Sequence, residues 1–295
     1  MRRAIYLLSG PSHAANLACS LATLRQHYDG QVDVFTWEES LPFVQRMYDD
    51  PRLGIDIICW QPEQQKHNET FCDKTRLIPS LPHGDAVLFL DADTTIHGAL
   101  NPLFDLIERY GYLATQFCDW TTEGRITGGR IKSLYQFHPG IDAKLIDAVF
   151  TMRRPSLNSG IFGGVPESPC HDPWYRWTVA ARNTHIPDEK TQHLLLPIYA
   201  PLGQMATATD LGKWNCSPHL RSANLSESDV AIFHFHGDSH LRPDKSPRGC
   251  ALWRLVFDYC LTENLGGITD WVSNVPNKYL KRLLQEPFHA MSNKD

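Results

Sequence analysis

The chain has 295 residues, of which 42% are hydrophobic and 21% are charged, and its formal net charge is −5. This length fits one large domain or two modest ones, and the composition excludes a disordered, collagen-like or coiled-coil protein. The weakly acidic balance gives no overall attraction to DNA or RNA, so no nucleic-acid partner is expected. No segment approaches the roughly 18 consecutive apolar residues of a membrane span. The eight cysteines are scattered without a C-x-x-C pair, which is typical of thiols in a reducing compartment and predicts a cytoplasmic location.

The first half of the chain alternates apolar runs with helical patterns. The runs predict strands over Ala4–Leu8, Val32–Trp37, Ile55–Trp60, Ala86–Leu90 and Tyr112–Phe117. The periodic segments predict helices over Ala14–Leu24, Lys74–Leu81 and Pro102–Tyr110. Continuous apolar runs between amphipathic helices indicate an α/β fold, with a mostly parallel central sheet and helices on both faces.

The second half is less regular at first. From Cys118 to Ser156 the pattern is lost, and basic residues such as Arg130 suggest a long functional loop. Further elements are predicted as strands over Gly160–Gly164 and Val230–Phe235 and as helices over Trp174–Arg182, Glu189–Leu196, Ala251–Leu261 and Lys278–Gln285. Because no repeat or linker interrupts the chain, we predict a single domain over residues 1–295.

An acidic turn follows the strongest strand signal, where Val87–Leu90 runs into Asp91-Ala92-Asp93. In open α/β sheets, ligands bind at the carboxyl ends of the strands. Two carboxylates two residues apart can converge on one Mg²⁺ or Mn²⁺ ion, and such ions commonly hold diphosphate oxygens. Aspartates also cap turns and helices, which leaves a purely structural role open.

Two enzyme families have such a turn. The apolar run followed by D-x-D-x-T resembles the first motif of haloacid-dehalogenase-type phosphatases, which implies that Asp91 attacks phosphorus. Gly237-Asp238 and Asp244 resemble the acidic motif of that family. However, the first motif normally opens that fold, whereas here several strands and helices precede it, and that chemistry has no use for His234.

Glycosyltransferases of the GT-A fold resemble more of the chain. The segment KTRLIPSLPHGDAVLFLDADTTIHGALNPLF, residues 74–104, resembles their donor site, and most of all that of the retaining family eight, the glycogenin and lipopolysaccharide-galactosyltransferase type. Four further segments resemble that family's motifs in the same order: Asn158–Ile161, Asp188-Glu189, Lys213–Asn215 and Ile232–Gly237. The resemblance spans Lys74 to Arg242. It implies a GT-A fold with a single Rossmann-like sheet flanked by helices and with a helical C-terminal end.

This resemblance implies a metal-dependent enzyme that transfers a sugar from a nucleotide donor, expected to be a UDP-sugar, to a glycan or glycoconjugate with retention. Residues 1–117 would then bind the donor, residues 118–245 would complete the metal and acceptor sites, and residues 246–295 would form a helical extension. Asp91, Asp93 and His234 would bind Mn²⁺ or Mg²⁺, and an imidazole favours Mn²⁺ over Ca²⁺. Histidines on one strand face can instead be packing residues.

Further residues are assigned by the same resemblance. Those expected at the nucleotide and sugar are Lys74, Arg76, Asp91, Asn158, Gly237 and Arg242. The family has a lysine shortly after its metal histidine, and the nearest cations here, Arg242 and Lys245, are displaced along the chain. Arg76 is otherwise a solvent-facing charge on a helix.

Asp188 and Glu189 are the expected catalytic pair. Asp188 would bond sugar hydroxyls, and Glu189 would face the side opposite the leaving group. The family usually has glutamine at the second position. A carboxylate there can stabilise an oxocarbenium-like centre, attack it, or serve as the base of an inverting enzyme. Both acids equally suit the first turn of a helix, where they complement its dipole.

Both ends of the chain leave questions open. Ser9–His13 replaces the family's small-Asp-x-x-Tyr signature, so His13 could stack on the base or simply belong to a turn. The helix at Lys278–Gln285 could make weak peripheral membrane contact or could be an ordinary amphipathic closing helix. A non-catalytic sugar-nucleotide-binding protein is a further alternative to an enzyme.

Overall fold

The computed structural model describes residues 1–64, 69–118, 128–153, 156–208, 210, 212–218, 227–242 and 246–285. The strands are β1 Arg2–Leu8, β2 Gln31–Thr36, β3 Asp56–Cys59, β4 Ala86–Leu90, β5 Thr94–Ile96, β6 Tyr112–Cys118, β7 Ser156–Gly164, β8 Ala206–Ala208 and β9 Ile232–His234. The helices are α1 Ala14–Leu24, α2 Leu41–Tyr48, α3 Glu69–Leu77, α4 Asn101–Tyr110, α5 Ala143–Met152, α6 His171–Ala180, α7 Pro187–Gln192, α8 Leu196–Tyr199, α9 Pro247–Thr262, α10 Ile268–Trp271 and α11 Lys278–Gln285.

Seven strands form the central sheet, in the order β3-β2-β1-β4-β7-β6-β8. The pairs β1/β4, β2/β3 and β6/β8 are parallel, and β7 runs antiparallel to both β4 and β6. Every residue of β4 and of β7 is buried. Strands covered on both faces have continuous apolar sequences, which is why β4 gave the strongest signal. The predicted α/β fold with a mostly parallel sheet is confirmed.

Aromatic and aliphatic side chains from neighbouring strands and helices form the core beside β4. The rings of Phe89 on β4 and Phe162 on β7 stack with their centroids 4.9 Å apart. Helix α4 packs so closely on β7 that a Cβ added at Gly163 would lie 2.2 Å from Ile107 Cδ1. The absence of a side chain at Gly163 therefore lets the helix approach the sheet.

A second, two-stranded sheet joins the residues that follow the acidic turn to a part of the chain that is distant in sequence. Strands β5 and β9 pair antiparallel, with Thr94 opposite His234. The amide of Phe235 also donates to the carbonyl oxygen of Asp93 across a 2.8 Å contact. This register fixes His234 beside the two aspartates, although the sequence separates them by about 140 residues.

The chain divides into two compact units by contact density. Unit 1 comprises Met1–Ile5, Gln61–Leu90 and Ala99–Asn215. Unit 2 comprises Tyr6–Trp60, Asp91–Gly98 and Cys216–Asp295. The predicted metal residues belong to unit 2, and the predicted catalytic pair belongs to unit 1. The division proposed from sequence, at residues 117 and 245, stays a prediction.

The irregular segment of the sequence contains a helix that the sequence analysis missed. Helix α5 begins after Asp142, whose side chain accepts a hydrogen bond from the amide of Lys144 and caps the helix. Its inner face joins a cluster of fully buried side chains: Ile131, Leu134, Ile141, Ile146, Val149, Ala181 and Leu194. Residues 128–132 are also helical, and this cluster holds them in place.

The helix predicted over Lys74–Leu81 is displaced in the structure. It begins earlier, as α3, and ends at Leu77, where a short 3-10 turn at Ile78–Ser80 follows. Pro79 explains the end, because a proline disfavours helical backbone at the residue before it. Lys74 and Arg76 consequently lie in the last turn of α3.

None of the helices in the described residues has the length and apolar character that a membrane span needs. In α11, the apolar side chain of Leu280 is only 1% exposed. It therefore packs inside the protein. The structure offers no support for the membrane contact considered for this helix.

Candidate functional site

The three predicted metal ligands lie together in unit 2. The Nε2 atom of His234 is 3.2 Å from Asp93 Oδ1 and 3.5 Å from Asp91 Oδ2. The side chain of His234 is 3% exposed, whereas those of Asp91 and Asp93 are 26% and 18% exposed. The aspartates therefore keep access to solvent, and the imidazole forms the buried side of the cluster.

The geometry and the electrostatics of this cluster suit a cation. One ligand atom from each of the three side chains lies within 4.8 Å of the others, and neighbouring ligands of an octahedral Mg²⁺ or Mn²⁺ ion are about 3 Å apart. Burial opposes the charge of Asp93, but the imidazoles of His234, His236 and His13 outweigh it and hold its pKa well below the usual range. The mixed oxygen and nitrogen donors fit a divalent metal.

A buried chain of hydroxyl groups supports the acidic turn. The Tyr6 hydroxyl lies 2.9 Å from Ser20 Oγ, which lies 2.9 Å from Thr94 Oγ1. Thr94 in turn donates to the carbonyl oxygen of Asp91 across 2.8 Å. This chain joins β1, α1 and β5 beneath the turn. These hydrogen bonds were not predictable from the sequence, because no motif marks a hydroxyl on a buried helix face as a partner of a distant turn.

In unit 1, Asp188 lies at the start of α7 among basic and polar partners. Ser159 Oγ donates to Asp188 Oδ2 across 2.6 Å, and Lys74 Nζ lies 3.5 Å from the same oxygen. Lys74 also lies over the ring of Phe89, 5.1 Å from its centroid. The Asp188 side chain is 1% exposed, and within the described residues its Oδ1 atom accepts no hydrogen bond.

The neighbouring acid, Glu189, has a partner on each oxygen. Arg130 Nη1 donates to Oε1, and Asn158 Nδ2 donates to Oε2 across 2.7 Å. Asn215, at the predicted aromatic-Asn element, donates to Asn158 Oδ1 across 3.2 Å. Burial raises the pKa of Glu189, and Arg130 acts in the opposite direction. The sequence had marked Arg130 as a basic residue of the irregular segment but had not predicted its contact with Glu189.

Two contacts fix α7 and hence the acid pair. Trp174 Nε1 donates to the carbonyl oxygen of Asp188 across 2.9 Å. The Leu157 amide donates to His193 Nε2 across 2.9 Å, so Nδ1 of that ring donates to the carbonyl oxygen of Glu189, 2.8 Å away. Burial lowers the pKa of His193 to about 4, so the ring is neutral. Asp188 and Glu189 thus make specific contacts with other residues, in addition to any interaction with the helix dipole in the first turn of α7.

The other residues expected at the nucleotide have contacts of their own, and their assignment stays a prediction. Arg76 pairs with Glu63 at 3.1 Å and lies over the ring of Tyr175, with 5.6 Å to its centroid. Arg242 lies over the ring of Tyr279, at 5.2 Å. Gly237 is in the 3-10 turn His236–Leu241 that follows β9. Lys245 lies outside the described residues. Of the six residues assigned to the nucleotide and sugar, Lys74 and Asn158 join the acid pair, and Asp91 joins the metal cluster.

No family model and no curated protein matches the chain. Solved structures do match it. The galactosyltransferase LgtC, solved with donor and acceptor sugar analogs, is 13% identical over 87% of this chain and 95% of its own, with a TM-score of 0.52. Mouse xyloside xylosyltransferase 1 is 13% identical over 81% of this chain and 99% of its own, with a TM-score of 0.51.

The bifunctional glycosyltransferase WbbM is 12% identical, with a TM-score of 0.53, and the match covers 80% of this chain but 45% of WbbM. These matches decide the fold. The chain has the GT-A fold. The GT-A fold implied by the sequence resemblance is therefore confirmed, and the acidic turn follows β4 at the edge where open α/β sheets commonly bind ligands.

Proposed function

We propose that this chain is a divalent-metal-dependent glycosyltransferase, which transfers a sugar from a UDP-sugar to a glycan or glycoconjugate acceptor. The observation that carries the proposal is the convergence of His234 with Asp91 and Asp93 at the end of a GT-A strand. A phosphatase with Asp91 as nucleophile would have no use for an imidazole there. The neighbours named above are glycosyltransferases, which favours a sugar-nucleotide donor.

Asp91, Asp93 and His234 would hold Mn²⁺ or Mg²⁺. A divalent ion in such a site acts as a Lewis acid, which stabilises negative charge on the departing diphosphate. The three side chains fit this role because two carboxylates leave negative charge for a cation to neutralise, and the imidazole nitrogen is a good ligand for Mn²⁺.

Asp188 would bind the donor sugar. Its Oδ1 atom is a buried acceptor with no hydrogen bond from the described residues, and a buried group in that condition costs about 1–3 kcal/mol. A sugar hydroxyl would donate to it and recover that free energy. Lys74 orients Asp188, because it contacts the other carboxylate oxygen.

Glu189 would place negative charge beside the anomeric carbon. We expect transfer with retention: the acceptor hydroxyl attacks from the face that the diphosphate leaves, and a diphosphate oxygen takes its proton. Glu189 stabilises the positive charge that develops on the sugar. NMR of fresh product reports the anomeric configuration. An inverted product would show instead that Glu189 acts as a base.

A cytoplasmic location is proposed on the thiols alone. All eight cysteines are free, and seven of them are buried. Free thiols persist in a reducing compartment. Fractionation of the expressing cells tests this location.

The experiment that tests the function is a thermal-shift and turnover screen of nucleoside diphosphates and nucleotide sugars, with and without Mn²⁺. A ligand at a hundred times its dissociation constant stabilises the fold by about 2.7 kcal/mol. Asp93→Asn should abolish the Mn²⁺-dependent part of the shift. Asp172→Asn is the matched control, because Asp172 is 75% exposed on α6.

Three outcomes distinguish the candidate functions. A shift with turnover of the donor supports the glycosyltransferase. A shift without turnover of any nucleotide sugar supports a non-catalytic binding protein. A mutant Asp93→Asn that responds as the wild type does shows that the metal site is wrongly assigned.

A further inference from the structure

Glu189 is a buried carboxylate whose charge is balanced from one side. Its side chain is 9% exposed, and that of Arg130 is 35% exposed. Arg130 contacts Oε1, and the neutral amide of Asn158 contacts Oε2. Arg130 comes from residues 128–132, far from Glu189 in sequence, so its position follows from the packing of the cluster that contains Ile131.

The other charged groups near Glu189 have partners of their own. On α7, Asp188 pairs with Lys74, and Lys190 Nζ donates to Ser133 Oγ across 3.1 Å, although Lys190 also attracts Glu189 electrostatically. Among the described residues, Arg130 is therefore the cation in direct contact with the Glu189 carboxylate.

His193 contributes no charge near Glu189. Its ring is neutral, since Nε2 accepts a hydrogen bond from the Leu157 amide. Asp188 carries the same sign as Glu189 and so opposes its ionisation. Removal of Arg130 would leave Glu189 without its ion-pair contact, beside a neutral amide and a second carboxylate, with Lys190 still attracting it from the same helix.

We propose that Arg130 is a positioning residue, which holds Glu189 ionised and fixes the direction of its carboxylate toward the donor sugar. This inference rests on the proposed function, because an ionised Glu189 matters where positive charge develops on a sugar. Arg130 itself need not touch the substrate. An uncharged Glu189 would lack the negative charge that stabilises an oxocarbenium-like centre, so transfer would slow wherever Glu189 is protonated.

The direction of the effect on pH dependence follows from the contacts. Burial and Asp188 raise the pKa of Glu189, and Arg130 lowers it. Without Arg130 the pKa of Glu189 rises further, so a higher pH is needed to ionise it. An opposite charge in contact shifts a carboxyl pKa by about 1–3 units. Because Arg130 is a third exposed, we expect a shift near the lower end.

The experiment measures kcat for sugar transfer against pH in Arg130→Met, Arg130→Lys and the wild type. In R130M the acid limb of the profile should move to higher pH by about one unit, which lowers the rate about tenfold on that limb. R130K keeps a cation and should restore most of the limb. Arg176→Met is the matched control, because Arg176 pairs with Asp172 on the exposed face of α6, and its profile should be that of the wild type.

A second comparison uses the Glu189→Gln background and separates this role from a purely structural one. An amide needs no counter-ion, so R130M should change the rate less than twofold when residue 189 is glutamine. An acid limb that stays in place in R130M overturns the inference. So does an equal loss of rate from R130M in both backgrounds, since Arg130 would then act without Glu189.

A readout without substrate distinguishes failure of this inference from failure of the proposed function. With ¹³C-labelled glutamate, the resonance that disappears in E189Q reports the titration of Glu189. A higher titration midpoint of Glu189 in R130M supports the ion-pair role of Arg130, whether or not any nucleotide sugar is turned over. If none is turned over, the proposed function fails while the ion-pair role stands. An unchanged midpoint overturns the inference even in an active enzyme.

Discussion

The two acidic clusters of this protein differ in what balances their charge. In unit 2, Asp91 and Asp93 face the imidazole of His234 and keep access to solvent. In unit 1, Asp188 and Glu189 are buried and face cations of the chain itself, Lys74 and Arg130. The first arrangement suits carboxylates that await an external cation. The second suits carboxylates that meet an uncharged ligand such as a sugar, because their charge is already balanced.

The difference between the two clusters is tested most strongly at His234, where we expect the largest effect of a substitution. His234→Gln should lower kcat with Mn²⁺ roughly a thousandfold, because a metal ion contributes several kcal/mol of charge stabilisation. His236→Gln is the control, since the His236 ring lies 3.8 Å from that of His234, centroid to centroid. It should lose less than tenfold. Equal losses in the two variants would contradict the assignment of His234, rather than His236, as the imidazole ligand.

A second contrast concerns stability without metal. Lys74→Met should lower the free energy of unfolding by about 3 kcal/mol, because it leaves the buried Asp188 carboxylate unpaired. Asp91→Asn should leave the free energy of unfolding unchanged or raise it, since it removes one of two neighbouring negative charges. Urea unfolding measures both. The double variant K74M with Asp188→Asn should recover most of the loss, and a fully additive double variant would contradict the pairing.

The dependence of stability on pH gives a further test of unit 1, where His193 is buried beside the acid pair. Burial lowers the pKa of His193 to about 4, from 6.5 in an exposed ring. As the pH falls below 6.5, the unfolded chain takes up this proton before the folded chain does. The contribution of His193 is therefore complete above pH 6.5 and is lost between 6.5 and about 4, which amounts to about 3 kcal/mol.

The measurement is the free energy of unfolding in urea across this pH range. His193→Gln should weaken the dependence by about one proton, and His27→Gln, at an exposed position of unit 2, should leave it unchanged. A slope that is the same in H193Q and the wild type would show that His193 does not titrate in this range.

The smallest effect is expected at the hydroxyl chain beneath the metal cluster. Thr94→Val removes the hydrogen bonds to Ser20 and to the carbonyl oxygen of Asp91. It should lower the free energy of unfolding by about 1–2 kcal/mol and weaken Mn²⁺ binding about tenfold. Thr262→Val is the control, because its hydroxyl makes the same kind of bond at an exposed position of α9. Calorimetric titration with Mn²⁺ would contradict the role of Thr94 if both variants bound alike.

The fold and the acidic turn were predictable from the sequence for physical reasons. Buried strands have continuous apolar sequences, so β4 and the acidic turn after it were visible. The assignment of His234 followed from the family resemblance, and the pairing of Thr94 with His234 is what brings it beside the aspartates. Helix α5 was not predicted, although Ile146 and Val149 have helical spacing. It lies within the segment from Cys118 to Ser156, which was interpreted as one irregular loop.

The partners of Asp188 and Glu189 were harder to predict from the sequence. The contact of Arg130 with Glu189 joins two residues 59 positions apart, and it arises from helix packing that no local pattern records. Arg76 and Arg242 were assigned by family position, but their contacts with Glu63 and Tyr279 depend on side chains elsewhere in the fold. A motif gives the type of residue at a site, whereas the partner of each charge depends on tertiary packing.

The central claim is that Asp91, Asp93 and His234 bind one divalent cation that meets a nucleoside diphosphate. Crystals grown with Mn²⁺ and UDP, measured at the manganese absorption edge, test it most directly. The account predicts one strong anomalous peak bonded to all three side chains and to diphosphate oxygens. A bound UDP with no peak there, or with the manganese on other residues, would contradict it.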